Sequence, residues 1–290
     1  MREFREIARR IYHEAVKGRS AVKLAKPGDR KLEHSPLFLT GIYRSGTTLV
    51  RYIVDSHSQI CCPPESDFIS SFSMMHQDSY SMRGLADMGF DEDHVIQKMR
   101  ELAIYFFGNY AAAKEKPRWA DKSPAYVDHL DYIDKMFPEA LYIIIHRHPL
   151  DQVHSITRGG TNLFDRLVGE IEECGDYRPA CTRYWCEQTN KILKFQSDHQ
   201  DKCISIRYED LCDNPEDNVK MVLDHAGLEW EPEVLEFYKQ KHDKGKEDGR
   251  VIATRGFSVS KGNYKNWPPA LIDECANIAR DEMELLGYTV

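Results

Sequence analysis

The sequence predicts an α/β protein, a parallel sheet flanked by helices, and three observations carry that prediction. Short apolar runs recur at Leu37–Thr40, Leu141–His146 and residues 203–208. Each is followed by a segment whose apolar residues recur at helical spacing, the alternation expected of parallel strands joined by crossover helices. The run Leu141-Tyr142-Ile143-Ile144-Ile145-His146 is apolar on both faces, as befits a strand covered on both sides.

In chain order, residues 3–16 read as an amphipathic helix with Phe4, Ile7, Ile11 and Ala15 on one stripe, followed by a Pro/Gly/charged linker over 26–35. The first strand, Leu37–Thr40, leads into a helix over 46–55. Residues 60–62 form a second short strand, ended by Pro63-Pro64. Residues 69–116 are rich in Met, Phe, Tyr and Ala at helical spacing and predict a helical cap inserted over 69–118. The strongest strand lies between Pro138 and Pro149, with a helix from about Leu150. A long helix spans 180–199. Asn214 is expected to cap a helix with Pro215 in its first turn, running to Ala226. Residues 243–250 read as a mobile charged loop and 269–286 as a closing helix. The length suits a single domain over 1–290, with 1–35 as N-terminal helix and linker.

A net charge of −8 argues against a generic nucleic-acid binder. An anionic ligand then needs a local cluster of cations. No apolar run approaches the ~20 residues of a membrane span. The first twenty residues are charged and lack the apolar core of a signal peptide, so a cytoplasmic protein is expected. The eight cysteines form no CxxC pair and are expected to be reduced thiols, several of them buried.

The first strand runs into Gly41-Ile42-Tyr43-Arg44-Ser45-Gly46-Thr47-Thr48-Leu49. A strand, a glycine-flanked loop and a helix N-terminus together suit phosphate, because backbone N–H groups and the helix dipole converge on the anion. The spacing from Gly41 to Gly46 is that of a Walker A loop, which makes the sheet P-loop-like. Thr47 stands where the NTP-binding lysine belongs, and Arg44 supplies a cation earlier in the loop. A bound nucleotide is expected, without the usual ATP or GTP hydrolysis. A second anion site follows the strongest strand, in Arg147-His148-Pro149-Leu150-Asp151-Gln152-Val153-His154-Ser155. The strand delivers Arg147 to the carboxyl edge of the sheet, where open α/β sheets bind ligands. Ser155 lies about two helical turns on. By itself Arg147 could equally be a strand-end arginine paired with a carboxylate; beside a first anion loop, the phosphate reading gains.

These residues resemble the 3′-phosphoadenosine 5′-phosphosulfate (PAPS)-dependent sulfotransferases, closest to the branch of tyrosylprotein sulfotransferases and many bacterial homologues. Gly41 to Leu49 is similar to the family's 5′-phosphosulfate loop, with Tyr43 in place of the usual proline, and Arg147 to Ser155 to its 3′-phosphate motif. Asp121-Lys122-Ser123-Pro124, Arg207-Tyr208-Glu209-Asp210-Leu211 and Trp267 fall in the family's order. The resemblance covers about 37–267. It implies a P-loop-like parallel sheet flanked by helices, with a helical cap over the acceptor site, and PAPS as co-substrate with 3′-phosphoadenosine 5′-phosphate (PAP) as product. A hydroxyl-bearing acceptor is expected, and no metal is required where enough cations and N–H donors converge.

Sulfuryl transfer asks a protein to position two partners in line and to neutralise oxygens. Arg44 and Lys122 are the candidates to stabilise charge on sulfonate and leaving phosphate, and Ser45, Gly46, Thr47 and Thr48 to bind the 5′-phosphate. The resemblance implies that Arg147 and Ser155 contact the 3′-phosphate, with Tyr208 near the 3′-phosphate or adenine. It also implies a loop over 254–267 that folds on the nucleotide, with Ser258, Ser260, Lys261 and Lys265 as candidates. The acceptor hydroxyl needs a base. Glu65, just after Pro63-Pro64, is the best candidate, because the resemblance implies a catalytic glutamate in a similar position; many cytosolic sulfotransferases use a histidine instead, which puts His57, His76 and His129 in reserve. Plainer readings stand beside these: Glu65 as a helix-capping carboxylate, Lys122 as the salt-bridge partner of Asp121. His146-x-His148 has the spacing of two metal ligands but no evident third. Phe68, Phe72, Tyr80, Tyr105, Phe106, Phe107 and Tyr110 are expected to be mostly core. The expected activity is sulfation of a small-molecule or carrier-bound metabolite. A P-loop nucleotide kinase and a non-catalytic nucleotide-binding module of the same fold are the alternatives.

Overall fold

The computed structural model describes residues 32–157, 167–245 and 256–289. The expected helix over 3–16 lies outside them, as do residues 246–250 of the expected charged loop. At the centre is a five-stranded parallel sheet in the order β2-β3-β1-β4-β5. Its strands are β1 Leu37–Thr40, β2 Ile60–Cys61, β3 Arg118–Lys122, β4 Leu141–His146 and β5 Cys203–Arg207. β1 lies between β3 and β4, with Leu37 opposite Ala120 on one side and Leu141 on the other.

Period-two alternation sorts the strand residues between two apolar layers. Leu37, Leu39, Ile143 and Ile145 face α1 (Thr47–Ser56) and α10 (Pro215–Ala226). Phe38 and Tyr142 face the opposite layer, where Trp119, Phe107, Tyr126 and Phe137 pack in edge-on and stacked pairs. A third cluster joins Ile144 to α6 (Pro149–Thr157), α8 (Tyr177–Asp198) and the C-terminal helices. The insertion between β2 and β3 forms α2 (Phe68–Gln77), α3 (Ser79–Asp87) and α4 (Glu92–Ala113). A short 3-10 turn and α5 (Leu130–Met136) precede β4; α7 is Val168–Cys174, and α9 is Tyr208–Asp213.

Several elements differ from expectation. β3 has no counterpart in the sequence reading, because Arg-Trp-Ala-Asp-Lys carries no apolar alternation; all five residues are nevertheless buried. Arg118 is tolerated there because its guanidinium donates to the carbonyls of Ser35 and Ala226. β5 ends at Arg207, and Tyr208 opens a helix. Asn214 precedes α10 but makes no side-chain cap; Asn218 instead donates to the Asn214 and Asp210 carbonyls. The closing helix is two, α11 (Pro269–Ile278) and α12 (Arg280–Leu285), broken at Ala279 so that Cys275, Ala279 and Met283 all reach one core. Among the aromatics, Phe107 is core, but Tyr80 is 86% and Phe106 47% exposed, against expectation. The seven described cysteines are free thiols. Among the described residues no helix is long and apolar enough to cross a membrane.

Candidate active site

The phosphate-type loop leaves β1 under close constraint from β4. A Cβ on Gly41 would lie 2.3 Å from the Ile145 carbonyl oxygen. Gly41→Ala therefore forces backbone apart and should cost about 2–3 kcal/mol, read as a fall in thermal midpoint of about 5–10 °C. Gly46 has φ +111° and faces the Tyr208 ring, where a Cβ would meet Cδ2 at 2.7 Å. Arg44 is left-handed as well, at φ +72°, a conformation that non-glycine residues hold only when their surroundings impose it.

What imposes it is α6. Gln152 Nε2 donates to the carbonyls of Ile42 (3.1 Å) and Tyr43 (2.7 Å), and Trp185 Nε1 donates to Gln152 Oε1 at 3.0 Å. The second anion motif thereby grips the first. Arg147 Nη1 donates to the Arg44 carbonyl at 3.0 Å, and Arg44 Nε donates to Ser155 Oγ at 3.1 Å. Arg44, Ser155 and Arg147 thus form one constellation at the carboxyl edge of β1 and β4. Arg147 is buried and makes no salt bridge to a carboxylate among the described residues; its partners are carbonyls, and burial lowers its pKa. The strand-end ion-pair reading is therefore not what the structure contains.

Tyr208 closes the constellation. The Arg147 guanidinium lies 4.7 Å from its ring centroid, and its hydroxyl donates to the Ser258 carbonyl and accepts from Ser260 N. Arg147 Nη2 donates to the Ser260 carbonyl at 2.6 Å. Asp151 accepts from Gly262 N and Asn263 N at 2.7 and 2.8 Å. The segment expected to fold over the nucleotide is thus tied to the second motif through its backbone. Of its lysines, Lys261 pairs with Asp213 at 2.9 Å, and Lys265 is exposed on the 3-10 turn Asn263–Asn266. Trp267 Nε1 donates to His154 Nδ1.

Glu65 and Lys122 meet. The Lys122 ammonium, fully buried, contacts Glu65 Oε1 and donates to Thr48 Oγ1 at 3.3 Å, while Glu65 is 22% exposed. One cation therefore links the first helix turn after the loop to the candidate base. Asp121 is not its partner. Neighbouring strand residues point to opposite faces, and Asp121 instead accepts from Tyr126 and Ser66. Nor does Glu65 cap the next helix. Asp67, at φ +53°, occupies that position and accepts from Ser123 Oγ at 2.7 Å.

Burial pushes the Asp121 carboxyl up to about 7. The unfolded group titrates near 3.9, so over about pH 4–7 the folded state holds a proton that the unfolded state has lost. Stability therefore falls as pH rises through that window and levels off above it. In Asp121→Asn, the difference in thermal midpoint between pH 5 and pH 8 should shrink relative to the parent.

The reserve histidines sit apart from this centre. His57, at the C-terminal end of α1, donates to the Glu229 carbonyl at 2.8 Å and accepts from Gln59 N. His76 pairs with Glu92, and His129, its pKa lowered by burial, bonds Ser73 Oγ. His146 turns to Ser205 Oγ, while His148 donates to the Thr289 carbonyl and stacks on Tyr264. Among the described residues no group of three or more His, Cys, Asp or Glu side chains is arranged to hold a metal ion. The sequence reading missed Gln152 and Asp151. Their only signal was position, in the first turn after Arg147-His148-Pro149.

The sequence matches the model of the Sulfotransferase family over residues 36–232. Protein-tyrosine sulfotransferase 2 of Gallus gallus is 28% identical over 208 residues, 69% of this chain and 53% of that protein. The chain spans about half the length of the curated relatives it matches. Among solved structures, the sulfotransferase domain from the curacin biosynthetic pathway has a TM-score of 0.62 at 20% identity, covering 90% of this chain and 100% of that domain. Mouse sulfotransferase SULT7A1 complexed with PAP has a TM-score of 0.51 at 13% identity, covering 91% and 90%. Both structures share the fold.

Proposed function

Because the chain belongs to the sulfotransferase family, we propose that it transfers a sulfuryl group from PAPS to the hydroxyl of a small-molecule or carrier-bound metabolite. One observation carries this reading: Arg147 Nη1 rests on the Arg44 carbonyl while Arg44 Nε reaches Ser155 Oγ, so both anion motifs serve a single ligand. The residues fit a doubly phosphorylated adenosine. Ser45 Oγ and Arg147 Nε are buried, with no hydrogen-bond partner among the described residues, in the two motifs that would hold its two ends. Donors left unpaired in a buried site are costly unless a ligand satisfies them.

PAPS supplies an activated sulfuryl group on its 5′-phosphate. The backbone N–H groups of Gly46, Thr47 and Thr48 and the hydroxyls of Ser45, Thr47 and Thr48 hold that phosphate at the N-terminus of α1. Arg147 and Ser155 hold the 3′-phosphate, and Tyr208 flanks it. Glu65 takes the proton from the acceptor hydroxyl as its oxygen bonds to sulfur. The sulfur–oxygen bond to the phosphate breaks, and PAP leaves with the bonding pair. Lys122 and Arg44 offset the negative charge that gathers on the sulfonate and bridging oxygen. α2–α4 form the cap, and the half-buried Phe68 and Phe72 with exposed Phe106 offer an apolar wall beside the Glu65 turn.

Thermal shift tests the reading. PAP at a hundredfold excess over its dissociation constant should raise the midpoint by about 5–10 °C, with Mg-ATP near zero. The reverse order supports a kinase. PAP binding without PAP release from PAPS across a broad hydroxyl panel supports a non-catalytic module.

A further inference from the structure

Glu65 projects from a turn over residues 62–67 that has no regular secondary structure. Such a turn places a side chain only if it is pinned, and on one side the pins come from α1 and from a segment nearly 180 residues away. Cys62 N donates to Asp55 Oδ1 at 2.8 Å. Arg51, fully buried, donates through Nε to the carbonyls of Cys62 (3.1 Å) and Pro63 (2.8 Å), and through Nη2 to the Asp243 carbonyl at 2.8 Å. The other Asp55 oxygen takes His242 Nδ1 at 2.6 Å, with side-chain exposures of 8% for His242 and 10% for Asp55.

The His242 ring meets an acceptor at each nitrogen. Nδ1 faces a carboxylate, and Nε2 faces the Phe237 carbonyl at 2.9 Å. Both ring nitrogens are thereby engaged, and Tyr52 stacks on the ring with centroids 4.6 Å apart. Asp243 is secured by the Tyr110 hydroxyl of α4 and by Lys114, the residue that follows that helix. His242 and Asp243 lie beyond residues 36–232, the stretch matched to the family.

We propose that His242 and Asp55, with Arg51, are positioning residues that hold the 62–67 turn and thereby aim Glu65 at Lys122 and the acceptor. His242 touches neither substrate; it acts through Asp55, whose carboxylate it keeps turned toward Cys62 N. The placement of the turn stands on geometry alone, whereas its effect on turnover rests on the role given to Glu65 above.

Hydrogen exchange of the full chain, read by mass spectrometry, tests the placement without reference to activity. His242→Ala should speed exchange about tenfold in peptides over 60–67, the effect of losing one charge-assisted bond, and leave 41–50 and 147–155 at the parent rate. Unchanged exchange at 60–67, or a uniform rise across the sheet, overturns the proposal. His242→Gln, which keeps one donor toward Asp55, should give the same pattern at smaller size and serves where the alanine variant does not accumulate.

Turnover is the second arm, followed as PAP release from PAPS with 4-nitrophenol or water as acceptor. His242→Ala should lower kcat about tenfold with PAP affinity unchanged, and add no further loss to Glu65→Gln. Full additivity of the two substitutions overturns the positioning role. Parent-like turnover in Glu65→Gln instead removes Glu65 as the base, and the exchange result then still decides whether His242 holds the turn.

Discussion

Glu65→Gln should lower turnover by about 10²–10⁴-fold and leave PAP affinity nearly unchanged. The amide oxygen still accepts from the buried Lys122, so the substitution removes basicity without stranding that ammonium. The contrast matters because Lys122 also reaches Thr48, beside the phosphate-type loop. A change that loosened Lys122 would weaken nucleotide binding as well. Initial rates of PAP formation set against calorimetric PAP titration separate the two effects. A matched fall in both would assign Glu65 to architecture, and His57, His76 and His129, all with partners of their own, would return as candidates.

Arg147→Met should cost about 10²–10³-fold in PAP affinity but less than tenfold in 5′-AMP affinity, measured by calorimetry on the same preparation. The difference between these ligands is the 3′-phosphate, so the ratio isolates the contact proposed for this guanidinium. Arg147 also braces the Arg44 and Ser260 carbonyls. If bracing were its whole function, both nucleotides would weaken alike. Methionine keeps much of the side-chain volume against Tyr208, which limits the loss from packing alone.

How much of this was legible in the sequence follows from where each signal resides. β1 and β4 were readable because they are apolar on both faces, and the two anion motifs because they sit at fixed offsets from those strands. β3 was not, because Arg118, Asp121 and Lys122 are buried against the Ala226 carbonyl, the Ser66 and Thr48 hydroxyls and the Glu65 carboxylate, which lie far away in the chain. Polar residues in a strand interior leave no period to detect. Glu65 was found through the family resemblance, by its place after the first helix and Pro63-Pro64, yet its tie to Lys122 spans 57 residues and no local pattern announces it. Gln152 is the same case at larger separation, since the carbonyls it satisfies belong to Ile42 and Tyr43. Ala279 breaks the last helix although its own helix propensity is high, because tertiary packing overrode it.

The excursion between β2 and β3 has a further consequence. It leaves the sheet at Cys61 and re-enters at Arg118, and its two stems are already partners, with Cys61 opposite Trp119 and Arg118 N bonded to the Gln59 carbonyl. An insertion closed at its base in this way divides into two parts: α2 and α4 carry Ile69, Ile104 and Phe107 into the core beneath the sheet, whereas α3 buries no residue, so α3 is the stretch that can change in length or sequence without disturbing the strands.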